Sequence, residues 1–575
     1  MHARAGRWAT RIALLVVVFA VFIPRRAHAG EAHALHAAHV ALASTVEWQK
    51  LVHYRSSVWG GWKSEVDGPS FYVSPQGRGD PEAELEATIA ALSAPIVAGH
   101  EEEHAACRFP ARRSWLLEVL APAERAKVQS PLCVGVTRFQ RQVDVESIAI
   151  VYVANALSNP ASALGHTFMR LRKRRPPGTP PSTPPEDLDH AVDFWADVDT
   201  KNPVFYAFKG VTGLFRGYYR ARPFADEMRK YTDEDSRDMW EYDLELTPRE
   251  IELFTLHLWE LMKPHIDYYY LTGNCSYYVL AAIEAAAPRL DVLGNMKPYV
   301  IPVDTIKPLT NTPGLVRAVR YRPSRTNQLH TWVVHADSAR PTPWEKSPER
   351  GHGTARLTLG AGSSTQYGTG FASAGFRLVL HDLLDAADGE PELVQLQFLD
   401  THLRYDLGRR KLTLDQLTFA EVMTLRPLRP GNMHLSWRVR AAGSRLHDRG
   451  CVEADCFAHG LDVAVGATLA THRDHLAVFL MADTYGLMSP RLDGVGGSFV
   501  RAGLGGYGGA RLRMWHQMNL LVTASYAYLP GSNLKTTYEL RGGFRLPLSQ
   551  HAALGTDAML QPEAFEAQLR SFLYF

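Results

Sequence analysis

The sequence predicts a soluble α+β part followed by an all-β, antiparallel transmembrane barrel of roughly twelve strands. Three observations lead to this prediction. An apolar segment near the N-terminus has the features of a secretory signal. The middle of the chain mixes helical and strand-like periodicities. The last part alternates apolar and polar residues up to the final residue, Phe575.

Residues 1–29 carry the features of a cleavable signal peptide. Arg4, Arg7 and Arg11 precede the apolar run "IALLVVVFAVFI", and "AHA" follows as a small-x-small cleavage site. The mature chain is therefore predicted to begin at Gly30. The apolar run is shorter than the ~20 residues that a membrane span needs. We expect the chain to be exported.

The soluble part is predicted to contain two segments. Residues 30–135 form a small, mostly helical module, because "AHALHAAHVALASTVEWQKLVHY" and "EAELEATIAALSAPI" have helical periodicity. Residues 136–320 begin with the strand-like "SIAIVYVAN" and contain two further helices, "TPREIELFTLHLWELM" and one that follows Cys275. Thr247 and Glu250 fit a capping box at the start of the first of these helices. Residues 321–353 are interpreted as a linker.

Residues 354–575 are predicted to form the barrel. Runs of about ten residues alternate in polarity and are separated by Gly, Asp, Asn or Pro. In "TTYELRGGFRLPL", Tyr538 and Leu540 share one face, whereas Glu539 and Arg541 share the other. A closed barrel would leave no open strand edges in the membrane. A soluble β-sandwich, whose strands also alternate, is the alternative.

The amino-acid composition excludes few classes of function. A hydrophobic fraction of 46% and a formal net charge of +2 suit either architecture. The near-neutral charge gives no reason to expect a nucleic-acid partner. The export signal and the barrel together predict an outer-membrane protein whose N-terminal domains lie in the periplasm, with outer-membrane lipid as its surroundings.

The five cysteines are an odd number in a chain that is predicted to enter an oxidising compartment. Cys451 and Cys456 are close in sequence and are predicted to close a small loop. Cys107 and Cys133 are predicted to pair within the helical module. This assignment leaves Cys275 without a disulfide partner.

Cys275 opens a helix in "LTGNCSYYVLAAIEAAA", which is a setting that lowers a thiol pKa and favours a nucleophilic thiolate. A thiolate nucleophile needs a base that a third group orients. We predict His166 of "SNPASALGHTFMRL" as the base. In "LDHAVDFWAD", Asp193 is the preferred orienting residue and His190 is the alternative.

Several neighbours are predicted to support this site. Asn274 and Ser276 flank the thiol where first-turn amides can bind an oxyanion. Gly165 precedes the histidine at the point where a loop enters a strand. Tyr270 belongs to the aromatic cluster "DYYYLTGNCSYY", which either lines a groove or packs in the core. Because the chain has no Cys-x-x-Cys spacing, we expect no metal site, and we expect no cofactor.

Four blocks resemble the Lnb N-terminal periplasmic domain family, which is named for a lipoprotein N-acyltransferase of Bacteroides. The blocks are "SNPASALGHTFMRL", "HAVDFWAD", "RDMWEYDLELTPREIELFTLHLWEL" and "YYYLTGNCSYYVLAAIEAA", and together they cover about 140–310. The segments "FYVSPQGRGDPEAELEATIAAL" and "RYDLGRRKLTLDQLTFAEVMTLRPL" also resemble the helical module and the barrel of proteobacterial relatives.

The resemblance implies a permuted papain-like fold, with the histidine before the cysteine, as in relatives of lecithin retinol acyltransferase. It carries the nucleophile onto Cys275 and the base onto His166. The third position departs from the family's "YAVNF"-like text, because this chain has Asp193 in "HAVDF". The Bacteroides enzyme need not carry an outer-membrane barrel, so its substrate does not follow from the shared domain.

The leading hypothesis is a cysteine-dependent acyltransferase that acts through a thioester intermediate on a phospholipid or lipoprotein substrate. A cysteine peptidase or amidase acting on cell-wall peptides would use the same groups. A non-catalytic protein that binds lipid or peptidoglycan is the alternative from another class. A purely structural role for Cys275 and His166 would leave the thiol inert to alkylating probes.

Overall fold

The computed structural model describes residues 33–57, 60–154, 164–180, 182–294, 299–325, 347–366, 368–389, 392–429, 433–446, 451, 456–471, 474–492, 499–530, 532 and 534–575. The predicted signal peptide lies outside these residues, as does most of the predicted linker. Among these residues, the first of two compact units contains 33–153 and 166–325, and the second contains 154, 164–165 and 347–575. In the described ranges, no helix has the length and apolar character to cross a membrane.

The helices of the first unit begin with a segment at 33–43, named α1. The others are α2 (Val46–Leu51), α3 (Pro81–Ser93), α4 (Ala105–Arg108), α5 (Pro110–Val119), α6 (Pro122–Arg125), α7 (Val134–Val143), α8 (Pro203–Thr212), α9 (Phe224–Arg229), α10 (Pro248–Leu261), α11 (Cys275–Ala286) and α12 (Ile306–Asn311).

The strands of the first unit form a two-stranded and a seven-stranded sheet. They are β1 (Tyr54–Ser56), β2 (Trp62–Ser64), β3 (Val145–Val153), β4 (His166–Lys173), β5 (His190–Asp197), β6 (Phe215–Pro223), β7 (Met239–Leu244), β8 (Ile266–Tyr268) and β9 (Val316–Arg322). The larger sheet has the order β8-β6-β5-β4-β3-β7-β9, and its paired strands are antiparallel. Helix α11 contacts β4 and β5, the two strands that carry the predicted base and its orienting residue.

The N-terminal helices share a buried core with the region that contains the large sheet. The Arg112 guanidinium of α5 lies 2.7 Å from a Glu84 carboxylate oxygen of α3 and 3.4 Å from a Glu260 oxygen of α10. The Nε2 atoms of His53 and His257 lie 2.9 Å apart in the same buried region. Residues on both sides of the predicted boundary at 135 lie in the same compact unit.

Two local features of the first unit follow from the sequence. The predicted capping box is present at the start of α10, where the Thr247 side chain accepts from the Glu250 backbone N–H and the Glu250 carboxylate accepts from the Thr247 N–H. A disulfide joins Cys107 of α4 to Cys133, which precedes α7. Both features fix the ends of helices that pack in the shared core.

The second unit is a closed antiparallel barrel of twelve strands. The strands are β10 (Arg356–Ser364), β11 (Thr369–His381), β12 (Val394–Asp406), β13 (Lys411–Thr424), β14 (Ser436–Leu446), β15 (Cys456–Ala470), β16 (Leu476–Met488), β17 (Val500–Arg513), β18 (Asn519–Tyr528), β19 (Thr536–Ser549), β20 (Ala552–Gln561) and β21 (Ala564–Tyr574). The barrel closes where β10 pairs with β21, opposing Arg356 and Tyr574. This closure confirms the predicted barrel and excludes the β-sandwich.

The barrel strands present apolar side chains outward and polar or small side chains inward. In β15, Leu461, Val463 and Val465 are exposed, whereas the intervening Asp462 and Ala464 are buried. The lumen contains a cavity of about 330 Å³ that is lined mainly by charged and polar residues. An apolar outer face around a polar interior is the pattern of a barrel embedded in lipid. A disulfide joins Cys451 to Cys456 between β14 and β15.

The turn after β11 folds into the lumen. Arg511 of β17 donates to the Leu383 carbonyl at 2.9 Å, and Asn519 of β18 donates to the carbonyls of Leu384 and Asp385 at 3.1 and 2.9 Å. Arginines of β10, β11 and β19 bind the two carboxylates of the same turn. The turn at 382–385 is therefore held from opposite sides of the barrel.

Candidate functional site

Cys275 is a free, buried thiol at the first residue of α11. Asn274 caps this helix: its Oδ1 accepts from the backbone N–H groups of Ser276 and Tyr277 at 3.1 and 3.3 Å. The Asn274 Nδ2 donates to the carbonyls of Tyr270 and Val300. All four bonds hold the cap in one orientation, so the position of the thiol is set by a local sequence signal.

The surroundings of the sulfur raise its pKa. Burial is the largest cause and outweighs the stabilisation of the thiolate by the Thr167 backbone N–H and the Tyr268 hydroxyl. The expectation that the helix N-terminus leaves Cys275 with a lowered pKa is therefore wrong. Desolvation of the charged form exceeds the favourable contribution of the helix end. Burial of the sulfur thus favours the thiol over the thiolate.

His166 is the first residue of β4, and it follows Gly165, whose φ of +86° is a conformation that favours glycine. The imidazole lies near the rings of Phe168 and Tyr231, with centroid separations of 5.9 and 5.8 Å. Burial lowers the pKa of His166 to about 4, against a smaller upward contribution from the Asp193 charge. The ring is consequently a neutral proton acceptor near pH 7.

Asp193 lies in β5 beside the predicted base. Its Oδ2 is 3.9 Å from His166 Nε2, too long for a hydrogen bond but within ion-pair range. The carboxylate accepts two hydrogen bonds from the Arg220 guanidinium, at 2.7 and 2.6 Å. The guanidinium in turn stacks over the Trp195 ring at 4.5 Å. Asp193 is thus held by β6 while it faces the imidazole of β4.

Cys275, His166 and Asp193 therefore share one neighbourhood. The Thr167 N–H that contacts the sulfur belongs to the residue after His166, and the charge of Asp193 acts on both the thiol and the imidazole. The guanidinium of Arg237 is also buried in this neighbourhood and acts on both groups. A thiol, an imidazole and a carboxylate that faces the imidazole are the three kinds of group that cysteine-dependent acyl transfer uses.

The supporting residues have different roles. The Ser276 hydroxyl is buried and donates to Asn274 Oδ1 at 2.7 Å, so it supports the helix cap. The Tyr270 ring packs against Tyr206 at 5.4 Å and against Phe215 at 6.3 Å. His190 precedes Asp193 by three strand positions, so its side chain points to the opposite face of β5.

Two residues near the site were not singled out from the sequence. Tyr268 accepts a hydrogen bond from the Cys275 backbone N–H at 3.3 Å, yet it is one of three consecutive tyrosines in the sequence. Arg220 opposes Asp193 in the register of β5 and β6. The strand pairing that brings Arg220 to the site spans 27 residues and has no local signal.

Comparison with known proteins identifies three matching regions. Residues 136–312 match the family model of the Lnb N-terminal periplasmic domain. Residues 345–574 and 40–119 match two family models that are described as domains of unknown function. No curated protein matches the chain. The resemblance inferred from the sequence blocks is thus confirmed for residues 136–312.

Solved outer-membrane barrels also match, at low similarity. The NanC porin is 8% identical with a TM-score of 0.25, covering 38% of this chain and 98% of its own. Omp33 of Acinetobacter baumannii is 12% identical with a TM-score of 0.21, covering 39% and 99%. An outer membrane channel from Pseudomonas putida F1 is 14% identical with a TM-score of 0.26, covering 41% and 100%. TM-scores this low carry no argument about the fold. The barrel is established by the closed ladder of paired strands in the structure itself.

The matched domain and the barrel together give the location of the protein. The Lnb N-terminal domain is a periplasmic domain, and the closed barrel has an apolar outer face. The chain is therefore an outer-membrane protein with its N-terminal domain in the periplasm, as predicted.

Proposed function

We propose, from the match of residues 136–312 to the Lnb N-terminal periplasmic domain, that this protein is a cysteine-dependent acyltransferase of the outer membrane. The observation that carries the proposal is the free thiol of Cys275, which opens a helix beside the strand that begins with His166. Asp193 completes the group from the neighbouring strand. We further propose that this unit has the permuted papain-like arrangement, because the histidine strand precedes the cysteine helix that packs on it.

In the first half-reaction, His166 takes the proton of Cys275 as the sulfur attacks the carbonyl carbon of an ester. The ester C–O bond breaks, the acyl group stays on sulfur as a thioester, and the leaving alcohol takes the proton from His166. In the second half-reaction an amine attacks the thioester carbonyl carbon and gives a proton to His166. The C–S bond breaks, the amide is released, and the Cys275 sulfur takes the proton from His166 to return to the thiol. Asp193 stabilises the imidazolium that exists between these transfers.

Two donors are suited to the oxyanion of each tetrahedral intermediate. The Cys275 backbone N–H points at the Tyr268 hydroxyl in the resting structure. An oxyanion that displaces the hydroxyl from this N–H would accept from the N–H and from the Tyr268 O–H, in a site from which water is largely excluded. Tyr268 would then be a catalytic residue, and its replacement by phenylalanine would lower the rate without moving the thiol.

Helix α8 supports a lipid as the acyl donor. Its Phe205, Phe208 and Val211 side chains are 60%, 58% and 58% exposed. On another side of the helix, Gly210 packs so closely on the Tyr270 ring that a Cβ would lie 2.1 Å from it. The backbone carbonyl of Tyr270 in turn accepts a hydrogen bond from the Asn274 side chain. Exposed aromatic side chains on an element linked to the helix cap suit a substrate that is drawn from a lipid surface.

The test uses the full chain in phospholipid vesicles that carry isotope-labelled acyl chains, with a diacylated lipopeptide as acceptor. We expect a labelled thioester on Cys275 and a labelled amide on the lipopeptide, both detected by mass spectrometry. Cys275→Ala should abolish both products, and His166→Ala should lower the transfer rate by roughly 10²–10⁴-fold. His190→Ala is the matched control, because this half-buried histidine lies on the other face of β5.

Other outcomes would replace the proposal. Hydrolysis of cell-wall peptides at Cys275 without transfer from lipid would make the protein a peptidase or amidase. Saturable binding of lipid or peptidoglycan that survives Cys275→Ala, with no thioester formed from any donor, would make it a binding protein.

A further inference from the structure

Helix α8 and the residue that follows its last turn expose a row of apolar side chains on the first unit. Phe205, Phe208 and Val211 of the helix and Leu214 after it are each more than half exposed. Among the described residues of this unit, Phe205 and Phe208 are the exposed phenylalanines. We call Phe205, Phe208, Val211 and Leu214 the α8 apolar face. Exposed apolar side chains grouped in this way are typical of a binding surface.

The opposite side of α8 is fixed to the segment 268–274, which precedes the thiol. The Tyr206 ring packs against the Tyr270 ring at 5.4 Å. The Gly210 carbonyl accepts from the Tyr270 backbone N–H at 2.8 Å. A helix with 3.6 residues per turn places the α8 apolar face on the side away from Tyr206 and Gly210. The face therefore has a fixed direction and is not part of the core of the unit.

The segment 268–274 connects α8 to the candidate site. Gly213, just after α8, packs so closely on the Tyr269 ring that a Cβ would lie 2.1 Å from it. The Tyr269 backbone N–H donates to the Gly273 carbonyl at 2.9 Å. Tyr268 accepts from the Cys275 backbone N–H. The segment thus contacts α8 at one place and the first residue of α11 at another.

The location of the chain identifies the surface that is available to this face. The barrel lies in the outer membrane, and residues 326–346 join it to the first unit. A chain of that length reaches at most about 80 Å when it is fully extended. The first unit is therefore confined near the periplasmic leaflet, and this confinement gives the lipid surface a high effective concentration.

The charges around α8 are compatible with a lipid surface. Lys209 Nζ lies 2.6 Å from a carboxylate oxygen of Asp199. Arg216 opposes Asp197 in the register of β5 and β6. The acidic side chains near the helix thus have basic neighbours, and Lys201 is exposed before the helix begins. Helices that lie in the membrane interface bury an apolar face below the headgroups and keep lysine and arginine at the level of the headgroups.

We propose that α8 is a membrane-interface helix, whose apolar face inserts among the acyl chains of the periplasmic leaflet of the outer membrane. The insertion follows from the exposed face and from the barrel, and it does not require catalysis. A second consequence rests on the proposed function. Insertion of α8 would place the segment 268–274 and Cys275 at the leaflet, where the ester carbonyls of a phospholipid donor lie.

The test uses the full chain with Cys275→Ala, because the other cysteines form two disulfides and an introduced cysteine is then the free thiol. Phe208→Cys is labelled with the environment-sensitive fluorophore NBD, and the protein is reconstituted in vesicles of phosphatidylcholine and phosphatidylglycerol. We expect blue-shifted emission, and a loss of fluorescence when the phospholipids carry bromine on their acyl chains. Val97→Cys is the matched control, because Val97 is an exposed apolar residue outside α8. Its label should be quenched by aqueous iodide and not by brominated lipid.

Two results would overturn the proposal. The first is iodide quenching at position 208 equal to that at position 97, with no effect of brominated lipid. The second is blue-shifted emission that brominated lipid does not quench, which would show that protein, such as a second copy of the chain, covers this face. If the label at position 208 prevents folding, Val211→Cys provides the same measurement.

An activity assay separates the insertion from the proposed function. Phe205→Gln/Phe208→Gln changes exposed side chains and should abolish the quenching of a label at Val211→Cys by brominated lipid. With Cys275 intact, the same double variant should slow acyl transfer from vesicle lipid more than transfer from a short-chain, water-soluble phospholipid. Quenching by brominated lipid at position 208, together with no acyl transfer by the wild type from any donor, would support the insertion and overturn the proposed function alone.

Discussion

Two buried aspartates, Asp385 in the barrel and Asp193 in the first unit, bind different numbers of arginines. In the barrel lumen, Asp385 binds Arg377 at 2.8 Å, binds Arg545, and accepts from the Tyr574 hydroxyl at 2.5 Å. In the first unit, Asp193 binds a single arginine, Arg220, and lies 3.9 Å from an imidazole. Asp385 is therefore cross-braced, that is, bound by partners from several strands, whereas Asp193 is bound by one arginine.

The number of fixed partners determines how far each carboxylate can respond to a change in its surroundings. Each partner of Asp385 comes from a different strand, so the carboxylate has one arrangement that satisfies all of them, which favours rigidity. Asp193 has one fixed partner and one neighbour that can change its protonation state. A carboxylate in that position can respond to a proton on His166, which a catalytic cycle requires. The predictions that follow test this contrast.

The largest effect is expected in the barrel. Asp385→Ala leaves Arg377 and Arg545 with one carboxylate fewer in a buried position, and removing one partner of a buried ion pair costs about 3–5 kcal/mol. The free energy of unfolding, measured by urea titration in lipid vesicles, should fall by that amount. Asp415→Ala, which removes another aspartate from the lumen lining, is the control. If the free energy of unfolding falls equally in both variants, the additional partners of Asp385 do not stabilise the barrel more than an ordinary lumen residue does.

The second prediction concerns the pH dependence of the thiol. Burial raises the pKa of Cys275, and the His166 imidazole, with a pKa of about 4, carries no charge that would counteract this near neutrality. Alkylation by iodoacetamide should therefore rise about tenfold per pH unit from pH 6 to 9, because only the thiolate reacts. Mass spectrometry of the Cys275 peptide measures the rate. A rate that is already constant from pH 5 upwards would instead indicate a preformed thiolate–imidazolium pair.

A smaller effect is expected at Asp193, with opposite signs in two assays. The Asp193 charge raises the pKa of His166, so Asp193→Asn should slow acyl transfer about tenfold, equivalent to about one pKa unit of lost imidazolium stabilisation. The same charge also raises the pKa of Cys275, so alkylation of Cys275 at pH 8 should become faster in this variant. Asp197→Asn, at the exposed end of β5, is the control. A parallel fall in both assays would indicate a displaced thiol.

Most of the barrel could be predicted because its signal is local. The alternation in "TTYELRGGFRLPL" predicts a strand over 536–548, which coincides to within one residue with the observed Thr536–Ser549, since one lipid-facing side fixes the polarity of every second residue. The inward fold of the turn at 382–385 was not predicted. It depends on Arg511, Asn519 and Arg545, which lie more than a hundred residues further along the chain.

The candidate site also combines features that local sequence predicts with features that depend on distant residues. The position of Cys275 follows from the Asn274 cap next to it, which is a local pattern. The direction of the thiol pKa could not be predicted, because burial depends on the packing of α11 against the large sheet. A His-x-x-x-His spacing is present at His100 and His104, and the second of these histidines caps α4.

The smallest effect is expected where the turn is held by neutral hydrogen bonds. Asn519→Ala removes the two donors to the carbonyls of Leu384 and Asp385 and leaves those buried carbonyls without them, at a cost of about 1 kcal/mol or slightly more. The backbone N–H groups of Leu384 and Asp385 bond to the Asp382 carboxylate within the turn. Their deuterium exchange should therefore become about fivefold faster, while exchange in the strands stays the same.

Ser525→Ala is the matched control for this variant, because Ser525 lines the lumen on the same strand as Asn519. If Asn519→Ala leaves exchange in the turn unchanged, the ion pairs alone hold the turn in the lumen. The hydrogen bonds from Asn519 would then form because the turn is already there, and they would not stabilise it. If exchange accelerates throughout the barrel instead, the turn and the strands unfold together. In that case the cross-braced cluster is part of one cooperative unit with the strands, and Asp385→Ala should unfold the whole barrel.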